Sequence, residues 1–174
     1  MRPNADAVPN PTMPNTPIKT IVLSISDSRT EENDESGVTL TELLLTMGAQ
    51  VVEKIIVSDD LSDLRNTLYV LTDREDVNLI ITTGGTGFSA RDNTPEATRS
   101  VIERDAPGLA EAMRRETYKK TPMAMLSRGV CGIRGKTLIV NLPGSPDAVS
   151  ECFEVIKPVL QHAVNLLTGE TKHK

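Results

Sequence analysis

The stretch from Leu79 to Thr98, LIITTGGTGFSARDNTPEAT, constrains the fold more than any other part of the chain. The β-branched run Val77 to Thr83 reads as a buried strand and Gly84-Gly85-Thr86-Gly87 as a tight turn. Thr94-Pro95-Glu96 then opens a helix, with Thr94 as N-cap and Pro95 at the first helical position. A strand that passes through glycines into a helix is the connection of an open α/β sheet. Glycines here let the backbone take φ > 0 and approach a ligand with no Cβ in the way. Exposed amides in such a turn, and the helix N-terminus beyond it, attract an oxyanion, so the expected guest is a phosphate. Structural β-to-α turns also use glycine, and the pattern alone leaves both readings open. GGTG followed by Phe88-Ser89-Ala90 has neither the Gly-Lys-Ser/Thr of the Walker loop nor the G-x-G-x-x-G dinucleotide fingerprint. Arg91 offers a forked cation suited to phosphate and Asp92 a hard oxygen ligand suited to Mg²⁺; the alternative is a solvated surface pair.

A phosphate bound here has to be held by local charge, because the chain as a whole is acidic, with a net charge of -5. That balance and an aromatic content of 2% leave neither a basic surface nor a stacking platform, which excludes a nucleic-acid partner. The length of 174 residues, 38% of them hydrophobic, suits one domain with one substantial core. Without an apolar run of membrane-spanning length or an apolar signal core, the expectation is a cytoplasmic protein with no membrane partner. Cys131 and Cys152 form no C-x-x-C and read as reduced, buried small hydrophobes. His162, expected on a helix surface, and His173 are the only histidines, too few for a zinc site or a Ser-His-Asp relay.

Met1 to Pro17 carries five of the eleven prolines and is expected to be a disordered or extended lead-in outside the fold. Lys19 to Ser26 is the first buried strand, and it delivers Ser26, Asp27, Ser28 and Arg29 where an open sheet places its ligands. The acidic segment Glu31 to Gly37 is expected as a mobile loop, followed by a helix from Val38 to Met47 that stops at Gly48. Val51 to Val57 is the next strand. Leu61, Leu64, Leu68 and Leu71 then stripe one face of a helix from Leu61 to Arg74. Asp59 and Asp60 stand before it; one caps the helix, or one is a second carboxylate facing Asp92, or both. Past the glycine loop, Pro95 to Arg104 and Gly108 to Tyr118 read as helices and Thr121 to Leu126 as a shorter one. Met123, Met125 and Leu126 are expected in a core or an interface.

Ser127 to Asn141 reads as two short antiparallel strands joined at Arg134-Gly135-Lys136. Gly135-Lys136-Thr137 is a false Walker match, since position 130 is valine. Leu142-Pro143-Gly144-Ser145-Pro146 then leads into a long helix from about Asp147 to Leu167. This second glycine turn is expected on the same side of the sheet as GGTG. The fold class is therefore α/β, a three-layer α/β/α domain over residues 18–168, with a mostly parallel sheet and one antiparallel strand; residues 169–174 form a short C-terminal tail. Two glycine turns, candidate carboxylates and no obvious nucleophile or base point to phosphoryl or nucleotidyl transfer, which needs positioning and charge neutralisation more than proton handling.

GGTGFSARDNTPEAT, AMLSRGVCGIRGKTLIVNLPGSPDAV and SISDSR together resemble the MoaB/MogA family of molybdenum cofactor biosynthesis and the G domain of gephyrin-like proteins, over about Lys19 to Leu167. The resemblance implies a molybdopterin-binding fold and a molybdopterin adenylyltransferase: Mg²⁺-ATP and molybdopterin give adenylylated molybdopterin and pyrophosphate. It also implies a homotrimer, or a hexamer built as a dimer of trimers, and a molybdate-inserting enzyme downstream. A non-catalytic molybdopterin-binding or scaffold protein is the other role known in such families. Carried over by position, Asp59 and Asp92 match the family's catalytic, metal-holding aspartates, with Asp60 the competitor for the first. Gly84, Gly85, Thr86 and Gly87 match its phosphate loop. Ser127, Gly144 and Ser145 match further substrate contacts, and Ser26 and Asp27 are added from SISDSR. Asn93 stands where relatives usually have valine.

Overall fold

The computed structural model describes residues 15–169. Six strands form one sheet in the order β2-β1-β3-β6-β5-β4. They are β1 (Lys19–Ile25), β2 (Gln50–Val57), β3 (Leu79–Thr83), β4 (Arg104–Asp105), β5 (Cys131–Arg134) and β6 (Thr137–Leu142). The pairs β1/β2, β1/β3 and β3/β6 are parallel, whereas β5 runs antiparallel to both β6 and β4. One strand is therefore reversed, as expected. The helices are α1 (Glu35–Thr46), α2 (Leu61–Thr72), α3 (Thr94–Val101), α4 (Pro107–Tyr118) and α5 (Pro146–Thr168), with a 3₁₀ turn at Pro122–Leu126.

Alternation along the strands sorts the core into two layers, because successive side chains point to opposite faces. Val22, Leu79, Ile81, Leu138 and Val140 pack beneath α1, α4 and α5, where Phe153 is fully buried. Ile21, Leu23, Ile80 and Ile139 face α2 and α3. The parallel register decides where the loops emerge: Ser24 pairs with Thr83, Thr83 with Leu142, and Ile25 with Val57. Four polar turns, after β1, β2, β3 and β6, thus leave one end of the sheet side by side, where open α/β sheets bind their ligands.

Several expected boundaries move, each for a local reason. The helix expected to run to Arg104 ends at Val101, because Glu103 N–H donates to the Ile133 carbonyl (2.8 Å) and Ala106 N–H to that of Cys131 (2.9 Å), drawing Arg104–Asp105 into the sheet. Thr94 is not the N-cap of α3. Asn93 holds that position without a side-chain cap, and the Thr94 hydroxyl donates to Gly84 O instead (2.9 Å). Met123 and Met125, at 62% and 63% exposure, are not core residues of this chain. His162 is exposed, and both cysteines are free and buried. Most of the expected lead-in, and the tail from residue 170, lie outside the described residues. Asn15 and Thr16 are bound to α5, Thr16 N–H donating to Asn165 Oδ1 (3.1 Å).

The segment expected as a mobile loop contains a buried charge. Asp34 is 1% exposed and caps α1, accepting from Gly37 N–H (3.0 Å), Ser24 Oγ (2.7 Å) and Lys54 Nζ (3.1 Å). Arg29 lies against the same carboxylate (3.6 Å) and also donates to Ser36 Oγ and to the Gly144 carbonyl. Burial pushes the Asp34 carboxyl up, but the Ser24 hydroxyl, the Lys54 ammonium and the Gly37 amide outweigh it and hold it below the usual aspartate value. With its folded value below the unfolded one, Asp34 contributes stability at pH above about 3.9 and loses it as pH falls through the lower folded value. Asp34→Ala is expected to lower the unfolding free energy by about 3–5 kcal/mol at pH 7, the range for removing one partner of a buried ion pair. The deficit should shrink towards pH 3, which urea unfolding at the two pH values would measure.

Candidate active site

The turn after β3 presents its amides because its carbonyls are all occupied. Gly84 O accepts from the Thr94 hydroxyl (2.9 Å) and Gly85 O from Thr94 N–H (3.1 Å). Thr86 O accepts from Arg128 N–H (2.8 Å), and Gly87 O from Arg128 Nε (2.7 Å). Among the described residues only the Gly84 amide has a protein acceptor, the Leu142 carbonyl at 3.2 Å; those of Gly85, Thr86 and Gly87 have none. Such a cluster of free donors is the arrangement that binds oxyanions. Gly84 and Gly85 make the turn possible, with φ of +103° and +64°. A Cβ on the first would lie 2.5 Å from Ile25 O, and on the second 2.4 Å from the Thr94 hydroxyl oxygen.

One flank of this turn carries the acidic residues. Asp60 is the N-cap of α2, accepting from Ser62 and Asp63 N–H. That leaves Asp59 free to face the loop, with Oδ1 3.4 Å from where a Gly85 Cβ would stand. Asp27 and Asp59 exchange bonds: Asp27 N–H donates to Asp59 Oδ2 (2.9 Å), and Asp59 N–H to Asp27 Oδ1 (3.0 Å). Arg91 does not pair with its neighbour Asp92. Its guanidinium forks onto Asp27 at 2.7 and 2.9 Å. Asp92 Oδ2 accepts from Ser89 N–H (3.0 Å), and Asn93 Nδ2 donates to the Asp59 carbonyl (2.9 Å), tying the two acidic turns together. A valine at position 93 could not make that bond.

Burial, with further contributions from Asp27 and Asp92, pushes the Asp59 carboxyl above its usual value despite Arg91 and the Asp27 amide. Asp27 moves down, held by the Asp59 amide and by Arg91. The crowding of carboxylates fits a divalent cation. Among the described residues no group of three or more His, Cys, Asp or Glu could hold a metal ion by itself. Two facing carboxylates, Asp59 and Asp92, match in number the one or two that Mg²⁺ commonly takes before completing its shell with water and substrate phosphates.

The other flank is a cleft of about 490 Å³ between the two glycine turns, α4, the 3₁₀ turn and the start of α5. Gly85, Thr86, Gly87, Asp92, Ser127, Gly144 and Ser145 all line it, opposite an apolar wall that includes Ala110, Met113 and Leu126. The Ser145 hydroxyl also caps α5 by accepting from Ala148 N–H (3.3 Å). Cys152 lines the cleft as well; burial pushes its thiol up to about 11 and that of Cys131 up to about 12.

The expected site residues thus gather in two places that share the glycine turn. The cleft holds Gly85, Thr86, Gly87, Asp92, Ser127, Gly144 and Ser145, Gly84 is buried and outside its lining, and Asp59 and Asp27 stand on the acidic flank. Ser26 serves the backbone, its hydroxyl accepting from Ser28 and Arg29 N–H. Sequence reasoning missed Arg128, which braces the turn, and Asp34, which anchors Arg29 beneath Gly144. Arg128 stands next to Ser127 in a quoted motif, the one signal that pointed to it.

The family model described as "Probable molybdopterin binding domain" matches residues 21–162. The chain is 47% identical over 84% of its length to the molybdenum cofactor synthesis protein cinnamon of Drosophila melanogaster, but spans only 25% of that protein. It is 40% identical to the molybdopterin adenylyltransferase of Helicobacter pylori strain J99, over 85% of this chain and 86% of that one. The crystal structure of the molybdopterin biosynthesis enzyme MoaB from Thermus thermophilus superimposes with a TM-score of 0.81 at 45% identity, covering 87% of this chain and 97% of that one.

A raised carboxyl value means that ionised Asp59 disfavours the folded state above that value, and that the penalty fades as pH falls through it. Asp59→Asn keeps an acceptor for the Asp27 amide and removes the charge. It is expected to raise the melting temperature at pH 7, with the gain closing towards pH 4, as calorimetry at the two pH values would show.

Proposed function

Since the chain belongs to the molybdopterin-binding domain family of molybdenum cofactor biosynthesis proteins, we propose that it transfers the adenylyl group of ATP to molybdopterin. The observation that carries this reading is the glycine turn whose free amides lie between an acidic flank and a cleft with one apolar wall. The apolar wall and polar floor suit a flat heterocycle bearing a phosphate, so molybdopterin takes the cleft. The triphosphate of ATP reaches the same amides from the flank of Asp59 and Asp27.

In the transfer, a terminal phosphate oxygen of molybdopterin attacks the α-phosphorus of ATP. A phosphoanhydride bond forms, the bond from the α-phosphorus to the oxygen it shares with the β-phosphorus breaks, and pyrophosphate leaves with that electron pair. The attacking phosphomonoester has a second pKa of about 6 and is already deprotonated near neutrality. No general base is required, and catalysis rests on alignment and on stabilising charge at the phosphates. The amides of Gly85, Thr86 and Gly87 supply donors. Asp59 and Asp92 would hold Mg²⁺, which neutralises phosphate charge when bound.

The same reading takes Met123, Met125 and the 44%-exposed Leu126 as contacts between copies in a homotrimer. The adenylylated product passes to an enzyme that inserts molybdate. No helix among the described residues is long and apolar enough to cross a membrane.

Pyrophosphate release by the purified protein with Mg²⁺-ATP and molybdopterin tests the proposal. Release should require molybdopterin and fall by at least about 100-fold in both Asp59→Ala and Asp92→Ala, the scale for losing a main electrostatic contact. Asp92→Ala should still bind molybdopterin. Tight binding without release by the wild type would make the protein a non-catalytic binder.

A further inference from the structure

We propose that Arg128 is the positioning residue of this site, holding the carboxylate-bearing Asp92 turn at a fixed distance from the glycine turn; the proposal rests on the adenylyl-transfer reading above. Its backbone N–H donates to Thr86 O (2.8 Å), its Nε to Gly87 O (2.7 Å) and one terminal nitrogen to Asp92 O (2.7 Å). The guanidinium is itself held by the Glu96 carboxylate, both of whose oxygens it meets. One planar group thus spans the two ends of the excursion Phe88 to Arg91, whose residues are all exposed.

Arg128 also follows Ser127 and precedes Gly129, both in the cleft wall. The backbone that lines the molybdopterin side is therefore covalently continuous with the clamp that places Asp92. Arg128 is in neither hydrophobic cluster and, among the described residues, is bound only to the loop, to the Asp92 turn and to the first turn of α3. A lysine keeps the charge but is a point donor, without the rigid fork that meets two carbonyls and a carboxylate in one plane.

The test uses the full chain with Arg128→Lys and Glu96→Gln. It measures kcat and KM for molybdopterin in pyrophosphate release, and the exchange rate of the Ser89 amide proton by NMR. That amide donates to Asp92 Oδ2 and reports the Asp92 turn independently of turnover. Arg128→Lys is expected to lower kcat by roughly 30- to 100-fold, as for a displacement of about 1 Å in a reacting array, with KM within threefold and Ser89 exchange accelerated about fivefold or more. Glu96→Gln leaves Arg128 in place but loosens its fork; it should move both readouts the same way by a smaller factor, and it decides the matter if Arg128→Lys does not fold. An unchanged kcat with unchanged Ser89 exchange would overturn the assignment. So would kcat falling only in proportion to a lost folded fraction. If the wild type releases no pyrophosphate, the functional reading fails, and Ser89 exchange alone decides whether Arg128 positions Asp92.

Discussion

The site depends on one constraint: every carbonyl of the Gly84 to Gly87 turn is bonded to the protein, so the turn can show its amides outward. Thr94 takes two of these carbonyls with its hydroxyl and its backbone amide, and Arg128 takes the other two with its backbone amide and its guanidinium. A turn left to solvent would present donors and acceptors alike, and the acceptors would repel a phosphate. Tying the acceptors down gives the turn a sign without a formal charge. This explains how an acidic chain, with a net charge of -5, can offer an anion site.

Around that turn the sheet register supplies the geometry. Ser24, Thr83 and Leu142 are neighbours across three parallel strands, so the loops that follow them have no choice but to meet. Leu142 O accepts from Gly84 N–H, and a Cβ on Gly144 would lie 3.3 Å from the Gly84 Cα. Arg29 continues the tie from the other side, bonded to Gly144 O and backed by the buried Asp34. The ion pair beneath α1 and the second glycine turn are thus one connected structure, and the stability of the first bears on the placement of the second.

The parts of this that were legible in the sequence follow from short-range rules. Strands, helices and the single reversed strand come from β-branched runs, leucine spacing and a Gly-Lys turn, all of which act within a few residues. The GGTG turn and the two aspartates were visible because their motifs are contiguous. Long-range bonds hid the rest. Nothing local says that Asp34 is buried, since its partners Ser24 and Lys54 lie ten and twenty positions away on other elements. Thr94 looks like an N-cap, yet tertiary structure uses its hydroxyl on Gly84. Arg91 and Asp92 look like a pair, yet Arg91 reaches across to Asp27. Asp59 and Asp60 are alike in spacing and differ in geometry: the Asp60 carboxylate has its bonds at α2, and the Asp59 carboxylate faces the loop.

The buried thiol in the cleft wall has a consequence for sulfur chemistry. With burial pushing the Cys152 thiol up to about 11, the neutral thiol predominates there at pH 7. Thiol–disulfide exchange proceeds through the thiolate, so the residue is silent towards a sulfur-bearing guest. Under the proposed function, a thiol-bearing guest in this cleft would meet a small apolar surface at Cys152 and would be spared a mixed disulfide.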